Sequence, residues 1–362
     1  MLFFVMCIIL GIILIKNIFF NFNNRLLMDI SNLIIVFSTY IYAILKILQK
    51  SDNISNFRDI DYYYYYYGLS SSYKLGDYLQ IHPKEYLFWI TNYYMGKIPN
   101  MTEVDYMVVV FTIISIVYIF SFKWFLNGRY LDLYYFSVIV FSETSNGMIN
   151  TIRQGFAVSI LLLAYMLIVK NHRMSGFLLG ISASLFHTSS VIYPVNIIIS
   201  YIKKVKLLIF WIITGFFLVI SITHFNNILF GKLGSNFNDN YENYITLANT
   251  YENSSSMTFP LISIFYGVIM TYFHRFIKQE YKEDSSFLIK CYLLAVCVFL
   301  SFSFIAFSDR IAKYAWTMVP FVYIFILDRS IMTDRNKNIM LVLMPIFFIV
   351  ISFFMKSGSY FV

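Results

Sequence analysis

The chain has 362 residues, 59% of them hydrophobic and only 13% charged, and a formal net charge of +8. That charged fraction is about half the roughly 25% of an ordinary soluble domain, and apolar runs near the ~20 residues that cross a bilayer recur along the whole length. A soluble globular protein is excluded, and the surplus of Lys and Arg requires no nucleic-acid partner, because loop cations that set membrane topology account for much of it.

In chain order, Met1 to Ile15 is apolar, with no basic leader and no small-residue cleavage site, and reads as a retained helix rather than a signal peptide. Further spans are predicted at 29–48, 104–122, 130–147, 150–169, 207–224, 258–276, 286–306, 311–327 and 339–356. The expected fold is an all-α polytopic membrane protein with about 10 transmembrane helices in a single membrane domain, 1–362. The cysteines Cys7, Cys291 and Cys297 lie in apolar runs without metal or disulfide spacing, and read as small packing residues.

Short basic loops are expected on the cytoplasmic side. They are Lys16/Arg25, Lys123/Arg129, Lys170/Arg173, Lys203/Lys204/Lys206, Arg275/Lys278/Lys282 and Arg329/Arg335/Lys337. The polar segments 49–103 and 225–257 then face outside, with the short connections near Asn146 and Arg310. One pair conflicts. Lys170/Arg173 and Lys203/Lys204/Lys206 both belong in the cytoplasm, yet a single apolar stretch separates them. Two half-helices over 174–200, broken at His187-Thr188-Ser189-Ser190, resolve the conflict as a V-shaped re-entrant hairpin with His187 at its tip. Pro194 disfavours straight continuation, and broken helices are tolerated where they line a cavity. The second reading is one kinked span whose lysines snorkel to the outer surface.

The first outer segment opens Arg58-Asp59-Ile60-Asp61, then runs through six tyrosines, Tyr62 to Tyr67. Tyrosines suit a membrane–water boundary, and aromatic faces also stack on sugar rings. Asp59-x-Asp61 has the look of a metal-holding carboxylate pair, but two aspartates are no ligand set and no metal is expected. His82-Pro83-Lys84-Glu85-Tyr86-Leu87-Phe88-Trp89 is too short and too mixed for a span and reads as an interfacial or re-entrant helix.

Two polar signatures stand inside apolar helices: Asn150-Thr151-Ile152-Arg153-Gln154-Gly155-Phe156-Ala157 and Phe186-His187-Thr188-Ser189-Ser190. Ionisable residues at membrane depth are functional candidates by default. Asn146, Asn150, Arg153 and Ala157 share a face if the helix extends that far, as do Gly176, Gly180, Ser184 and His187 on the next segment. The pair Gly176-x-x-x-Gly180 permits close helix packing. Later, Ser308-Asp309-Arg310-Ile311-Ala312-Lys313-Tyr314 opens a helix on which Arg310, Lys313, Tyr314 and Thr317 share a face. Two cations at a helix N-terminus fit an anionic ligand or, equally, an interfacial anchor.

There is no Gly-rich phosphate loop, no H-E-x-x-H and no G-x-S-x-G, and no soluble nucleotide-binding domain. No cofactor is expected. An outward-facing enzyme would need a substrate delivered already activated, such as a lipid-linked diphosphate.

Over nearly its whole length the chain resembles the EpsG-type branch of bacterial Wzy-like polysaccharide polymerases. The resemblance rests on Asn150-x-x-Arg153-Gln154-x-x-Ala157 and Phe186-His187-x-Ser189, with Glu85-x-Leu87-Phe88 and Arg310-Ile311-x-x-Tyr314 in support. Arg58…Asp61-Tyr62 with a later Tyr65 is similar to the family's Arg–Gly–Asp-Tyr loop, here with shorter spacing and no glycine. The resemblance implies a GT-C-like architecture. It implies block transfer of a growing glycan from undecaprenyl diphosphate to another lipid-linked repeat unit, on the outer face of the bacterial cytoplasmic membrane, in capsule, exopolysaccharide or O-antigen synthesis. A chain-length regulator and a flippase are the implied partners beside the lipid bilayer. In that reading Arg153 and Arg310 stabilise the departing diphosphate, His187 is the general base, and Asp61 and Glu85 are the alternative bases. Arg58, Asn150, Gln154, Ser189, Lys313, Tyr314 and Tyr65 contact substrate. The competing readings are a lipid-linked oligosaccharide flippase or other transporter, and a membrane acyltransferase using His187.

Overall fold

The computed structural model describes residues 2–19, 25–51, 58–126, 128–200, 205–235, 257–306 and 308–354. Among them the chain is helical, with no strand beyond one isolated bridge between Ile277 and Ser330. Six helical stretches of the described residues are long and apolar enough to cross a membrane: Leu26–Gln49, Glu103–Leu126, Ile152–Val169, Gln279–Ser301, Asp309–Asp328 and Asp334–Ser352. Shorter apolar helices accompany them. The protein is an all-α multi-pass membrane protein. It divides into two compact units, residues 1–194 with 333–362, and residues 195–332.

The first unit begins with α1 (Leu2–Phe19) and α2 (Arg25–Ser51). Three short helices follow, α3 (Arg58–Leu69), α4 (Leu75–Ile81) and α5 (Tyr86–Met95), and then the long α6 (Glu103–Leu126). The expected single interfacial helix near His82 is therefore one of three. The six-tyrosine run is helical because it has a buried face at helical spacing: Ile60, Tyr63 and Tyr67 are all buried. Its phenols find partners as buried tyrosines must. Tyr64 donates to the Met101 carbonyl at 2.9 Å, and Tyr67 to that of Ile98 at 2.9 Å.

The predicted span 130–147 is two helices, α7 (Leu131–Val140) and α8 (Ser142–Ile149), separated at Phe141 by extended backbone. A second break at Asn150–Thr151 precedes α9 (Ile152–Val169). Asn146, Asn150, Arg153 and Ala157 therefore do not share one continuous helix face, contrary to the expectation from spacing. Straight helix would place Gly147 and Gly155 ~12 Å apart. Instead a Cβ added to Gly155 would fall 2.0 Å from the Gly147 carbonyl oxygen. The two glycines let α8 fold back onto α9, and the Thr151 amide donates to the Asn146 carbonyl at 3.1 Å to close the turn.

Next comes α10 (Arg173–Ala183), which packs on α9. Gly176 is the contact point: a Cβ there would meet Ile168 Cγ1 at 2.6 Å and the Ala164 carbonyl at 2.7 Å. The helix stops before His187, a 3-10 turn runs Thr188–Ile192, and α11 (Tyr193–Ser200) begins with Pro194 in its first turn, where a missing N–H costs nothing.

Lys16, read as a loop cation, lies inside α1. Its amine meets Asp132 of α7 at 2.8 Å and also the Asn32 carboxamide of α2, while Asn32 donates to the Gly128 carbonyl at 2.9 Å. The helix continues past the apolar run because the amine finds a carboxylate there. The last helix of the chain, α18 (Asp334–Phe354), returns to this unit and packs on α1 and α7.

The second unit holds α12 (Leu207–Ile222), α13 (Phe225–Ser235), α14 (Thr258–His274), α15 (Lys282–Ser301), α16 (Asp309–Trp316) and α17 (Met318–Asp328). On α12 the exposed Leu208, Ile212, Phe216 and Val219 form one stripe and Phe210, Thr214 and Ser221 the buried one, as a lipid-facing helix requires. Ser263 joins three helices here: its hydroxyl accepts from the Trp316 indole at 2.7 Å and its carbonyl from the Tyr292 phenol at 2.6 Å. Residues 52–57 and 236–256, within the two segments expected to face outside, and Lys203 and Lys204 lie outside the described residues.

Candidate functional site

The first unit brings Glu85, Arg153 and His187 together. Glu85 stands at the mouth of α5 in the left-handed backbone region, φ 61° and ψ 43°. For a residue with a Cβ this costs roughly 1–2 kcal/mol, and such strain gathers at functional sites. Two broken helix ends satisfy one another around it. The first amides of α5, those of Leu87 and Phe88, donate to the Leu185 carbonyl at 3.0 and 3.4 Å. In return the Thr188 amide donates to Glu85 Oε1 at 2.9 Å. The break in 174–200 is thus matched to the start of α5, each supplying what the other's unpaired terminus lacks.

The buried carboxylate has both oxygens engaged. Oε1 faces His187 Nδ1 at 2.6 Å and the Thr188 hydroxyl at 3.3 Å, besides the Thr188 amide. Oε2 forms an ion pair with Arg153. Burial pushes this carboxyl up, but the His187 hydrogen bond, the charges of His187 and Arg153 and the Thr188 amide outweigh it and bring the pKa down to about 2. An anionic oxygen at Nδ1 requires an N–H there, so His187 carries its Nδ1 proton toward Glu85 and presents Nε2 as the free lone pair when neutral.

Arg153 sits in the first turn of α9 with its guanidinium locked on two sides. Nε donates to the Tyr63 phenol at 2.9 Å, Nη1 goes to Glu85, and the guanidinium carbon lies 5.1 Å from the Tyr63 ring centre. A guanidinium has five N–H donors. Three remain without a partner among the described residues. Tyr63 is itself fixed. Its ring meets Phe88 edge-on at 5.2 Å, and its carbonyl accepts from Asn92 at 3.2 Å. Asn92, fully buried on α5, also donates to the Tyr78 phenol at 3.0 Å and accepts from that of Tyr106 at 2.8 Å.

Tyr63 and Thr188 are the members of this site that sequence reasoning missed. Tyr65, expected to contact substrate, is exposed on another face of α3, its ring edge-on to Tyr66 at 5.2 Å. Asp61 is exposed on α3, its carboxyl near that of Glu103 at the start of α6. Arg58 opens α3. Asn150 is half-buried in the turn before α9, its carboxamide oxygen without a hydrogen bond among the described residues, and Gln154 is buried one residue after Arg153. Ser189 is exposed in the 3-10 turn. Arg310, Lys313 and Tyr314 belong to the second unit, where Arg310 is half-buried at the start of α16 and Lys313 and Tyr314 are buried. Among the described residues no group of three or more His, Cys, Asp or Glu side chains is placed to hold a metal ion.

The arrangement joins a histidine with a free Nε2, a carboxylate that orients it, and a guanidinium with donors to spare. It can take a proton from a hydroxyl and bind an anion beside it. A model described as the EpsG family matches residues 53–360 of the chain. Comparison with curated proteins and with solved structures gives no match.

Proposed function

Because this chain belongs to the EpsG family of Wzy-like polysaccharide polymerases, we propose that it polymerises lipid-linked oligosaccharide repeat units. The donor is a glycan on undecaprenyl diphosphate and the acceptor a sugar hydroxyl of a second lipid-linked unit. Transfer takes place at the outer face of the bacterial cytoplasmic membrane, without a metal. The observation that carries the reading is the double engagement of Glu85 by Arg153 and His187.

In the proposed step the acceptor oxygen attacks the anomeric carbon and its proton passes to His187 Nε2. The bond from that carbon to the diphosphate oxygen breaks, and lipid diphosphate departs with the electron pair. A single displacement inverts the anomeric carbon. Arg153 directs its three remaining N–H groups at the charge growing on the diphosphate, where donors in fixed geometry are most effective. Glu85 fixes the tautomer and orientation of His187. It is not the base, because a carboxylate with pKa about 2 and both oxygens occupied has little affinity for another proton. The segment 174–200 is the re-entrant hairpin of a GT-C-like fold, and its tip brings His187 to the outer side.

The test is glycan lengthening by the purified chain given lipid-linked repeat units and no acyl donor. Longer glycans on lipid diphosphate support the polymerase. Movement of the repeat units between leaflets without lengthening makes the protein a transporter, and lengthening that needs no Arg153 overturns the clamp. Arg153→Lys keeps the charge but loses the fork, and is expected to shorten the polymer and lower the rate by about 10²-fold, within the range for one lost transition-state donor.

A further inference from the structure

We infer that Tyr62 is a sugar-stacking platform, the subsite that seats a pyranose ring of the glycan beside Arg153 and His187; this rests on the transferase reading above. The residue is 47% exposed although its ring has three aromatic neighbours. It meets Tyr66 at 4.9 Å, Tyr63 at 5.7 Å and Trp89 at 6.2 Å between ring centres, each edge-on. Three edge contacts hold the ring in place and leave part of its surface open. Tyr63, the next residue, is the one that grips Arg153.

The phenol also senses the site. Burial and the neighbouring Tyr66 raise the Tyr62 hydroxyl above its ordinary range, and among the smaller influences Arg153 pulls it down while Glu85 pushes it up. A pyranose presents a face of C–H groups that packs on an aromatic ring, and a preset ring loses little entropy when it binds. The exposed Tyr94 on α5 has a different setting: its ring contacts Tyr93 at 5.6 Å, and it is 60% exposed. It makes the control for a boundary role.

The experiment uses the full chain in phosphatidylethanolamine–phosphatidylglycerol vesicles. Two readouts are taken: lengthening of undecaprenyl-diphosphate-linked repeat units, and binding of the free repeat-unit oligosaccharide released from its lipid by mild acid. Tyr62→Phe keeps the ring, whereas Tyr62→Leu keeps apolar bulk without it and spares the fold more than Tyr62→Ala. Tyr62→Leu and Tyr62→Ala are expected to weaken oligosaccharide binding roughly 3- to 10-fold, the range for one aromatic contact, and to raise KM by a similar factor with kcat nearly unchanged. Tyr94→Ala should match the original chain, and Tyr62→Phe, which keeps the ring, should lose less binding than Tyr62→Leu. Equal binding by Tyr62→Leu and the original chain overturns the platform, as does an equal loss from Tyr94→Ala. Failure of the original chain to bind the oligosaccharide also overturns it. Oligosaccharide binding that depends on the Tyr62 ring, in a chain that does not lengthen glycans, keeps the platform and removes the transferase.

Discussion

Two of the ion pairs among the described residues of the first unit, Lys16 with Asp132 and Glu85 with Arg153 and His187, differ in one respect that matters. Lys16 and Asp132 are closed off, at 8% and 0% exposure; the Lys16 amine also donates to Asn32, which in turn donates to the Gly128 carbonyl. In the other pair Glu85 is buried, but the side chains of its partners Arg153 and His187 are 29% and 25% exposed. The closed pair ties α1, α2 and α7 together. The open pair fixes a carboxylate from behind and turns three guanidinium N–H groups and an imidazole nitrogen outward. Cost at membrane depth alone therefore does not identify a working residue; the partner's capacity to be left over does.

Neutralising the anion of each pair breaks the comparison most directly. Glu85→Gln should lower glycan lengthening by about 10⁴-fold, as when the carboxylate behind a catalytic histidine is made an amide and the wrong tautomer is favoured. The thermal transition should move far less. If lengthening survives Glu85→Gln within tenfold, the open pair is merely structural.

Asp132→Asn should behave in the opposite way. It leaves Lys16 buried without its counter-charge, a change that costs about 3–5 kcal/mol when one partner of a buried pair is removed. The unfolding midpoint in detergent should fall, while the rate per folded molecule remains that of the original chain. A normal midpoint with a lost rate would make the closed pair the working one.

A smaller effect separates holding Arg153 from being Arg153. Tyr63→Phe removes one hydrogen bond to a charged group and keeps the ring, a loss of about 1.5–3 kcal/mol at most, or roughly 10- to 100-fold in rate. As a positioning residue, Tyr63 should act on kcat more than on KM, and the pH–rate profile should keep its shape. A shifted pH profile in Tyr63→Phe would instead place the phenol in the proton path.

Much of this site was legible in the sequence, and the gaps have physical causes. Arg153 and His187 stand out because charge and imidazole are expensive in an apolar run, and the break near His187 follows from the parity of basic loops. Glu85 enters through the family's motif, but its central place does not, because it lies in a mixed polar and apolar segment where a carboxylate does not stand out. Tyr63 is hidden among five identical neighbours; only the helical phase set by Ile60 and Tyr67 singles it out. Asp132 is 116 residues from Lys16, beyond any local spacing rule. The connection near Asn146 is legible to within a few residues, but the tight fold-back at Asn150 is not, since its cause is the approach of Gly147 to Gly155, a tertiary contact.

The smallest effect tests whether the open site rests on a floor that must remain uncharged. His82 is buried and lies flat on Trp89, with ring centres 3.5 Å apart and planes 6° from parallel. Burial, with the positive charge of Arg153 adding to it, takes its pKa down from 6.5 to about 4. The unfolded chain therefore binds more protons than the folded one between those values. The resulting stability is fully present above about pH 6.5 and is lost as pH falls toward 4. At pH 5.5 the loss is about 1 kcal/mol, one unit below the ordinary value. His82→Phe keeps the stack and cannot be protonated, so it should flatten that part of the pH–stability curve while leaving the neutral-pH midpoint nearly unchanged. If the drop between pH 6.5 and 5.5 persists in His82→Phe, the acid sensitivity belongs to another group, and the stack beneath Tyr66 and Trp89 contributes packing alone.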